Sequence, residues 1–526
     1  MIHKKLANWF NESRNNWKKR ALEKQEKLRE AQIKIRDLQR SREHWQKKAK
    51  ENQKKAQETE QKYKVQQKKG GTLAEKKVEK HHYSLKEMAI SVKQVIIGCN
   101  SFKGVQKNRE IEITEEIEDL KEIKTNQDRK EPILAKNTLK KSLAPNYNTI
   151  RQWMGRIGLY ELQKTREIRV DRTWIIDFSL ELGTEKCLVI LGVSQEYLLD
   201  KVWKEKRGLQ HQEVEVLHIE IMKSTRGELI KDVLDKLSEK VGKPRQIVSD
   251  QGSDLSKGIK LYQEKNQEVI CTYDITHKLA LLLKKELKFD LKYQSYVQKC
   301  NQCRQELQQT ELAFLRPPAQ RSKSRYLNLD DLIDWGKKII LYLKKERSIE
   351  EKERLDLQKI HLKMKWLLEY EEVLKTWHLM LMMSRGIESQ LKKEGLHHLS
   401  LLEFKQTFLK FPWNSRLNNF QEEIIKYLQK ESSVIEGKNP ILASSDIIES
   451  IFGKYKFFSN KGPLKQIRRT ILIIPLVTIN ITRDFVKEAL ENIKNIDLKK
   501  WEEEIFGQSM LSKRRILFAR KSAGTI

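Results

Sequence analysis

The stretch Trp174-Ile175-Ile176-Asp177-Phe178-Ser179 sets an acid inside an apolar, β-branched run that begins at Thr173. A second strand-like run follows at Cys187 to Val193, so two successive strands are predicted, the first carrying a carboxylate. A buried carboxylate is costly unless it finds a partner or a metal ion. Two further acids stand in settings of their own. Gln246 to Ser249 is a short strand-like run after an amphipathic, helical stretch from Gly227 to Leu237. It ends at Asp250 in Ile247-Val248-Ser249-Asp250-Gln251-Gly252, a strand's C-terminal tip, where sites in α/β sheets tend to lie. Glu449, in Asp446-Ile447-Ile448-Glu449-Ser450, falls in a helical pattern with Ile448, Ile451 and Phe452 on one face. Lys456 lies seven residues beyond it, two helical turns, so Glu449 and Lys456 point the same way.

Taken singly, each acid has an ordinary reading: Asp177 a solvated strand end, Asp250 a turn cap, Glu449 one of many helical acids. Taken together they read as a metal-binding carboxylate triad. Two divalent ions about 3.5 to 4 Å apart need carboxylates converging from separate elements, because the ions clamp both the attacking and the leaving oxygen in phosphoryl transfer. Mg²⁺ suits such oxygen ligands, with Mn²⁺ able to substitute, at two ions per site.

The order strand-Asp, second strand, strand-Asp-Gln-Gly, long helical interval, helix-Glu with Lys seven residues on resembles the RNase H-like catalytic domain of DD-E transposases and integrases. Ser249-Asp250-Gln251-Gly252 is similar to the second-acid motif of the integrase group, and Glu449 with Lys456 to the third-acid helix of several bacterial transposases. The resemblance covers about residues 140 to 285 and 441 to 460. It implies that Asp177, Asp250 and Glu449 are the catalytic metal ligands and that Lys456 contacts a DNA end. One third-acid signature of these enzymes places Tyr and Arg ahead of the Glu; here those places hold Leu442 and Ser445.

The expected fold class is an α/β RNase H-like core with a large all-α insertion, preceded by a helix-turn-helix region and an N-terminal coiled coil or long helix. Residues 1–69 are Lys- and Gln-rich, with a heptad through Leu28, Ala31, Ile35, Leu38, Arg42, Trp45 and Ala49, so they read as a charged coiled coil or a solvated helix. Gly70-Gly71 breaks that pattern. Residues 70–165 read as a helical DNA-binding region. Its segment from Pro145 to Gly158 resembles the recognition half of a helix-turn-helix, with Thr149, Arg151 and Gln152 placed to reach base edges and Ile150 and Trp153 facing the core.

Residues 166–285 are the first part of the core, 286–440 the helical insertion, 441–460 the third-acid helix and 461–526 a basic helical C-terminal segment. Helical insertions at this point occur in the hAT superfamily of transposases, where an aromatic can stack on a flipped base. Trp335, Trp366, Trp377 and Trp413 are spread through the interval, and a core role is the commoner fate of such residues. Before it, Tyr273-Asp274-Ile275-Thr276-His277 reads as a strand end and helix start. There His277 either contacts the scissile phosphate or merely follows an Asp N-cap.

Lys plus Arg number 105 against 73 Asp plus Glu, a net charge of +32, the balance of a protein that displaces counterions from phosphates. Lys454, Lys456, Lys461, Lys465, Arg468 and Arg469 are the basic residues nearest the third acid, and Lys454 and Lys461 join Lys456 as candidate DNA contacts. The longest apolar candidate for a span, Ile471 to Ile481, contains Pro475 and falls short of about 20 residues. No signal-peptide core follows Met1-Ile2-His3-Lys4-Lys5. A cytoplasmic protein is therefore expected, nucleoid-associated if prokaryotic.

Five cysteines argue against a disulfide framework. Cys300 and Cys303 form a lone CxxC, which Cys271 and His277 would have to complete for zinc; two thiols on a helix is the favoured reading. The expected partners are double-stranded DNA, as element ends and target, and further copies of the chain in a homodimer or higher oligomer. The expected activity is DD-E transposition: Mg²⁺-dependent strand cleavage and strand transfer. An RNase H-like nuclease without strand transfer and an inactive DNA-binding derivative are the alternatives.

Overall fold

The computed structural model describes residues 81–124, 144–180, 184–250, 252–320, 326, 328–344, 354–408, 414–435, 437, 439–460, 464 and 466–522, together with Gln25. The expected N-terminal coiled coil, the Gly70-Gly71 break, Trp413, Lys461 and Lys465 lie outside the described residues. The rest is mostly helical around one mixed five-stranded sheet.

The strands are β1 (Arg172–Leu180), β2 (Lys186–Ser194), β3 (Glu215–Met222), β4 (Gln246–Ser249) and β5 (Ile270–Tyr273), in the order β3-β2-β1-β4-β5. β1 to β3 form an antiparallel meander, and β4 and β5 add parallel to β1. Cys187 to Val193 are all buried, as expected of a central strand covered on both faces.

Period-two alternation sorts the side chains between those faces. Trp174, Ile176 and Ile247 meet Ile230, Leu234 and Tyr262 on one side, from helices α4 (Gly227–Val241) and α5 (Ser253–Lys265). Ile175, Val189 and Val248 point the other way. There they meet α1 (Leu85–Ile96), α3 (Tyr147–Gln163) and α13 (Asp446–Ser459). Between α1 and α3 lies α2 (Phe102–Lys124), tied to α1 by Arg109 and Glu87, both buried.

After β5 the chain enters α6 (Ile275–Lys288) and continues through α7 (Leu291–Leu307), α8 (Leu329–Lys344), α9 (Arg354–Met364), α10 (Glu371–Glu394), α11 (Ser400–Phe408) and α12 (Ser415–Ser432). These helices bury two apolar clusters of their own, one around Met380, Phe404 and Phe420, the other around Tyr296, Leu332 and Trp377. Trp335, Trp366 and Trp377 serve this packing. Trp377 is fully buried, and the indole N–H groups of Trp335 and Trp366 donate to the carbonyls of Leu315 and Lys363 at 2.9 and 3.1 Å. Cys300 and Cys303 are buried thiols of the second cluster.

At the end of α10, Gly395 takes φ +74°, a left-handed turn that also presses the backbone against Trp203 and Pro440. The next residue, Leu396, pairs with Ile441, and the chain returns to the sheet to start α13. Helices α14 (Arg483–Asn492), α15 (Asn495–Phe506) and α16 (Met510–Ser522) follow. Residues of α14 and α15 join the cluster that contains Trp153 and Ile451. Among the described residues no helix is long and apolar enough to cross a membrane.

Candidate metal centre at the strand tips

Parallel register brings the first two acids together. Ile176 pairs with Ser249 and Ser249 with Tyr273, so the next residues along, Asp177, Asp250 and Asp274, follow the last paired positions of three adjacent strands. Neighbouring strands run about 4.8 Å apart. Continued alternation puts Asp177 on the face of Ile175, and Asp250 on that of Val248. That is the face α13 covers, where Ile448 and Ile451, fully buried, and Phe452 seat the helix. The expected seating of α13 on these three residues is what its core contacts display. Glu449 and Lys456 are both exposed, and Glu449 is near enough for its charge to act on Asp177.

Asp177 is partly buried, and its pKa is pushed up to about 7. Burial is the largest cause, followed by the charge of Asp250; the Phe178 N–H, 2.7 Å from Oδ1, works against them, and Glu449 and Asp274 add to the rise. Among the described residues no cationic side chain pairs with Asp177 or Asp250. Asp250 Oδ1 accepts from the Gly252 N–H at 3.0 Å.

Carboxylates at neighbouring strand tips, with the Asp177 pKa raised and no cation paired to Asp177 or Asp250 among the described residues, are oxygen donors of the kind hard divalent ions take. No three of Asp177, Asp250, Asp274 and Glu449 bring ligand atoms within 4.8 Å of one another, so they do not make a closed cage around one ion. They border an open acidic edge instead.

Asp274 belongs to the scaffold of this edge. It is fully buried and caps α6 through the Thr276 N–H at 2.9 Å, and its other oxygen accepts from the Ser445 hydroxyl at 2.7 Å. His277 sits in the first turn of α6, its ring 6.0 Å from that of Tyr273. The N-cap reading of Asp274 is thus the observed one.

The approach of α13 rests on a residue that sequence reasoning did not single out. Gln246, fully buried in β4, donates to the Leu442 carbonyl at 2.6 Å and accepts from the Leu442 N–H at 3.0 Å. Leu442 and Ser445, which stand where one signature has Tyr and Arg, therefore both anchor the segment leading into the helix. An amide inside a strand otherwise read as Ile-Val-Ser was the available signal.

The other expected contacts fall farther away. Asn146 caps α3, Ile150 and Trp153 are buried as expected, and Arg151 is exposed. Thr149 and Gln152 are half-buried and line a cleft of about 880 Å³ with His81, Arg156 and Lys494. Gln152 also accepts from Arg469 at 3.3 Å. Arg468 and Arg469 both pair with Glu502, so these two guanidiniums hold the C-terminal helices rather than standing free. Lys454 is half-buried near His211 on α13's flank. Cys300 and Cys303 do not gather with Cys271 and His277 into a metal-ligand group.

No family model matches this chain, and no curated protein does. Among solved structures it is similar to the Drosophila P element transposase strand transfer complex, at 13% identity and a TM-score of 0.33. The match covers 76% of this chain and 92% of that one.

Proposed function

We propose that the chain is a DD-E DNA transposase whose sheet is an RNase H-like core, with residues 286–440 as a helical insertion. The observation that carries this reading is the strand register, which sets Asp177 beside Asp250 on the sheet face that α13, bearing Glu449, covers. Asp177, Asp250 and Glu449 would hold two Mg²⁺ ions. Bound there, the ions supply activation of a water or a DNA 3′-hydroxyl and stabilisation of the leaving 3′-oxygen.

The chain's own residues do the remaining work. Lys456 and Lys454 neutralise phosphates of the bound end, and His277 borders the strand tips from the first turn of α6. Thr149, Arg151 and Gln152 read the element end from α3. Asp177 is ionised when the site is loaded, since a ligand carboxylate must shed its proton. A protein of this kind works as a dimer or larger, because two element ends are joined to one target.

The test is cutting and joining of a supercoiled plasmid carrying the gene with its native flanks, in Mg²⁺, with wild type beside Asp177→Asn. Cuts at the flanks whose 3′-hydroxyls join new DNA, and which vanish in the variant, are the expected result. Cutting without joining would favour a nuclease on the same core. Metal-independent DNA binding with no cutting would leave an inactive derivative.

A further inference from the structure

The helical region between the second and third acids also reaches the helix that carries the third. Glu388 on α10 is buried, 5% exposed. Four groups surround its carboxylate: the hydroxyls of Thr276 at 3.2 Å and Tyr326 at 2.9 Å, Arg385 at 3.2 Å and Lys392 at 2.6 Å. Lys392, one turn further along α10, also pairs with Asp446. Asp446 is the first residue of α13 and lies one turn before Glu449.

Burial works against the charge on Lys392, yet Asp446 and Glu388 hold its pKa above the usual lysine value. Ser445 makes no side-chain cap to α13, and the ion pair from α10 supplies a tie at that end of the helix. Two clefts, of about 510 and 490 Å³, meet at this pair: Lys392, Asp446 and Ser450 line both, and Glu449 lines the second.

We propose that Lys392 is a positioning residue that fixes the first turn of α13 and so sets the place of Glu449 among the metal ligands. The proposal rests on the reading of the three acids as a metal centre. Its physical content is a short relay: a buried carboxylate on the helical region holds an ammonium, the ammonium holds Asp446, and Asp446 fixes the turn from which Glu449 projects. Such outer partners of ligand residues typically change metal affinity or activity by about 10-fold to 100-fold when removed.

The test uses the full chain with Lys392→Met, Lys392→Arg and Asp446→Asn. Asp446→Asn leaves the Lys392–Glu388 pair intact and guards against a Lys392→Met chain that fails to fold. Mg²⁺-dependent cutting should slow by about 10-fold or more in Lys392→Met and Asp446→Asn. The Mg²⁺ concentration for half-maximal cutting should rise several-fold, DNA affinity should hold, and Lys392→Arg should recover most of the loss. Hydrogen exchange at the amides of residues 447–451 should quicken in Lys392→Met and Asp446→Asn.

Unchanged metal dependence in both Lys392→Met and Asp446→Asn would overturn the proposal. So would a loss equal in Lys392→Arg and Lys392→Met, or one that appears wholly as lost DNA affinity. A wild-type chain that cuts nothing overturns the metal-centre reading and the proposal together. Equal exchange at residues 447–451 in a wild type that does cut overturns the proposal alone.

Discussion

Asp177 carries a charge that the folded chain resists. Its carboxyl titrates near 7 when folded and near its ordinary 3.8 when unfolded, so the folded state keeps the proton longer. Metal-free stability therefore falls as pH rises from about 4 to 7, and the penalty is complete above that window. The shift corresponds to about 4 kcal/mol at pH 8, an upper figure because neighbouring acids share it. Asp177→Asn removes the charge and keeps the shape. In EDTA it should raise the midpoint of thermal unfolding at pH 8 and change it little at pH 4. Mg²⁺ or Mn²⁺ narrows the gap: saturating ion stabilises wild type by roughly 3 kcal/mol at about 100 times its Kd and leaves the variant nearly unmoved. Thermal unfolding across pH, with and without metal, checks both halves. A variant no more stable than wild type at pH 8 in EDTA would mean that burial and the neighbouring acids do not strain the Asp177 charge.

At the scale of elements, the critical joint is the one between β4 and the segment entering α13. The Gln246 amide satisfies both backbone groups of Leu442 in a place closed to water. Gln246→Leu should cost about 2 to 5 kcal/mol, because the buried Leu442 N–H and the Thr173 and Thr272 hydroxyls lose their amide partner, read as a lowered urea midpoint. It should also weaken the Mn²⁺ response, because α13 is then held less firmly over the sheet. A stability within about 0.5 kcal/mol of wild type, on the scale of ordinary surface changes, would show that the clamp is dispensable.

The pieces of this joint were legible in the sequence, but their meeting was not. β1, β2 and β4 and the helices from Gly227 and around Glu449 follow from apolar runs and periodicity. That β4 lies parallel to β1, with Ile176 opposite Ser249, depends on pairing between segments far apart in the chain, which no local pattern encodes. β3 was hidden for a different reason. A register shift between Ile190 and Leu191 against β3 leaves Val216 and Leu217 both buried, and this irregularity breaks the alternation by which a strand is recognised. A polar residue in a short strand, as Gln246 is, reads as an edge until its partner is seen.

At the scale of the whole molecule, the +32 charge divides unevenly between the two basic residue types. Several arginines are committed inside the fold: Arg109 to Glu87, Arg172 to Glu215, Arg416 to Asp290 and Arg468 to Glu502. Guanidiniums suit such partly buried pairs, whereas an ammonium on a flexible stem suits a mobile phosphate contact. The charge left for a polyanion is therefore largely lysine, and near the candidate centre it is Lys454 and Lys456. Each phosphate that a duplex-bound protein no longer neutralises lowers the slope of log K against log salt by about 0.9. Lys454→Ala with Lys456→Ala should thus reduce that slope by about 2 and weaken binding to specific and non-specific duplexes alike. Asp177→Asn, which touches no phosphate in the absence of metal, should leave the slope in EDTA unchanged. Titrations at several salt concentrations on one duplex separate these outcomes. An unaltered slope in the lysine variant would place the DNA on another face of the molecule, away from α13 and its acids.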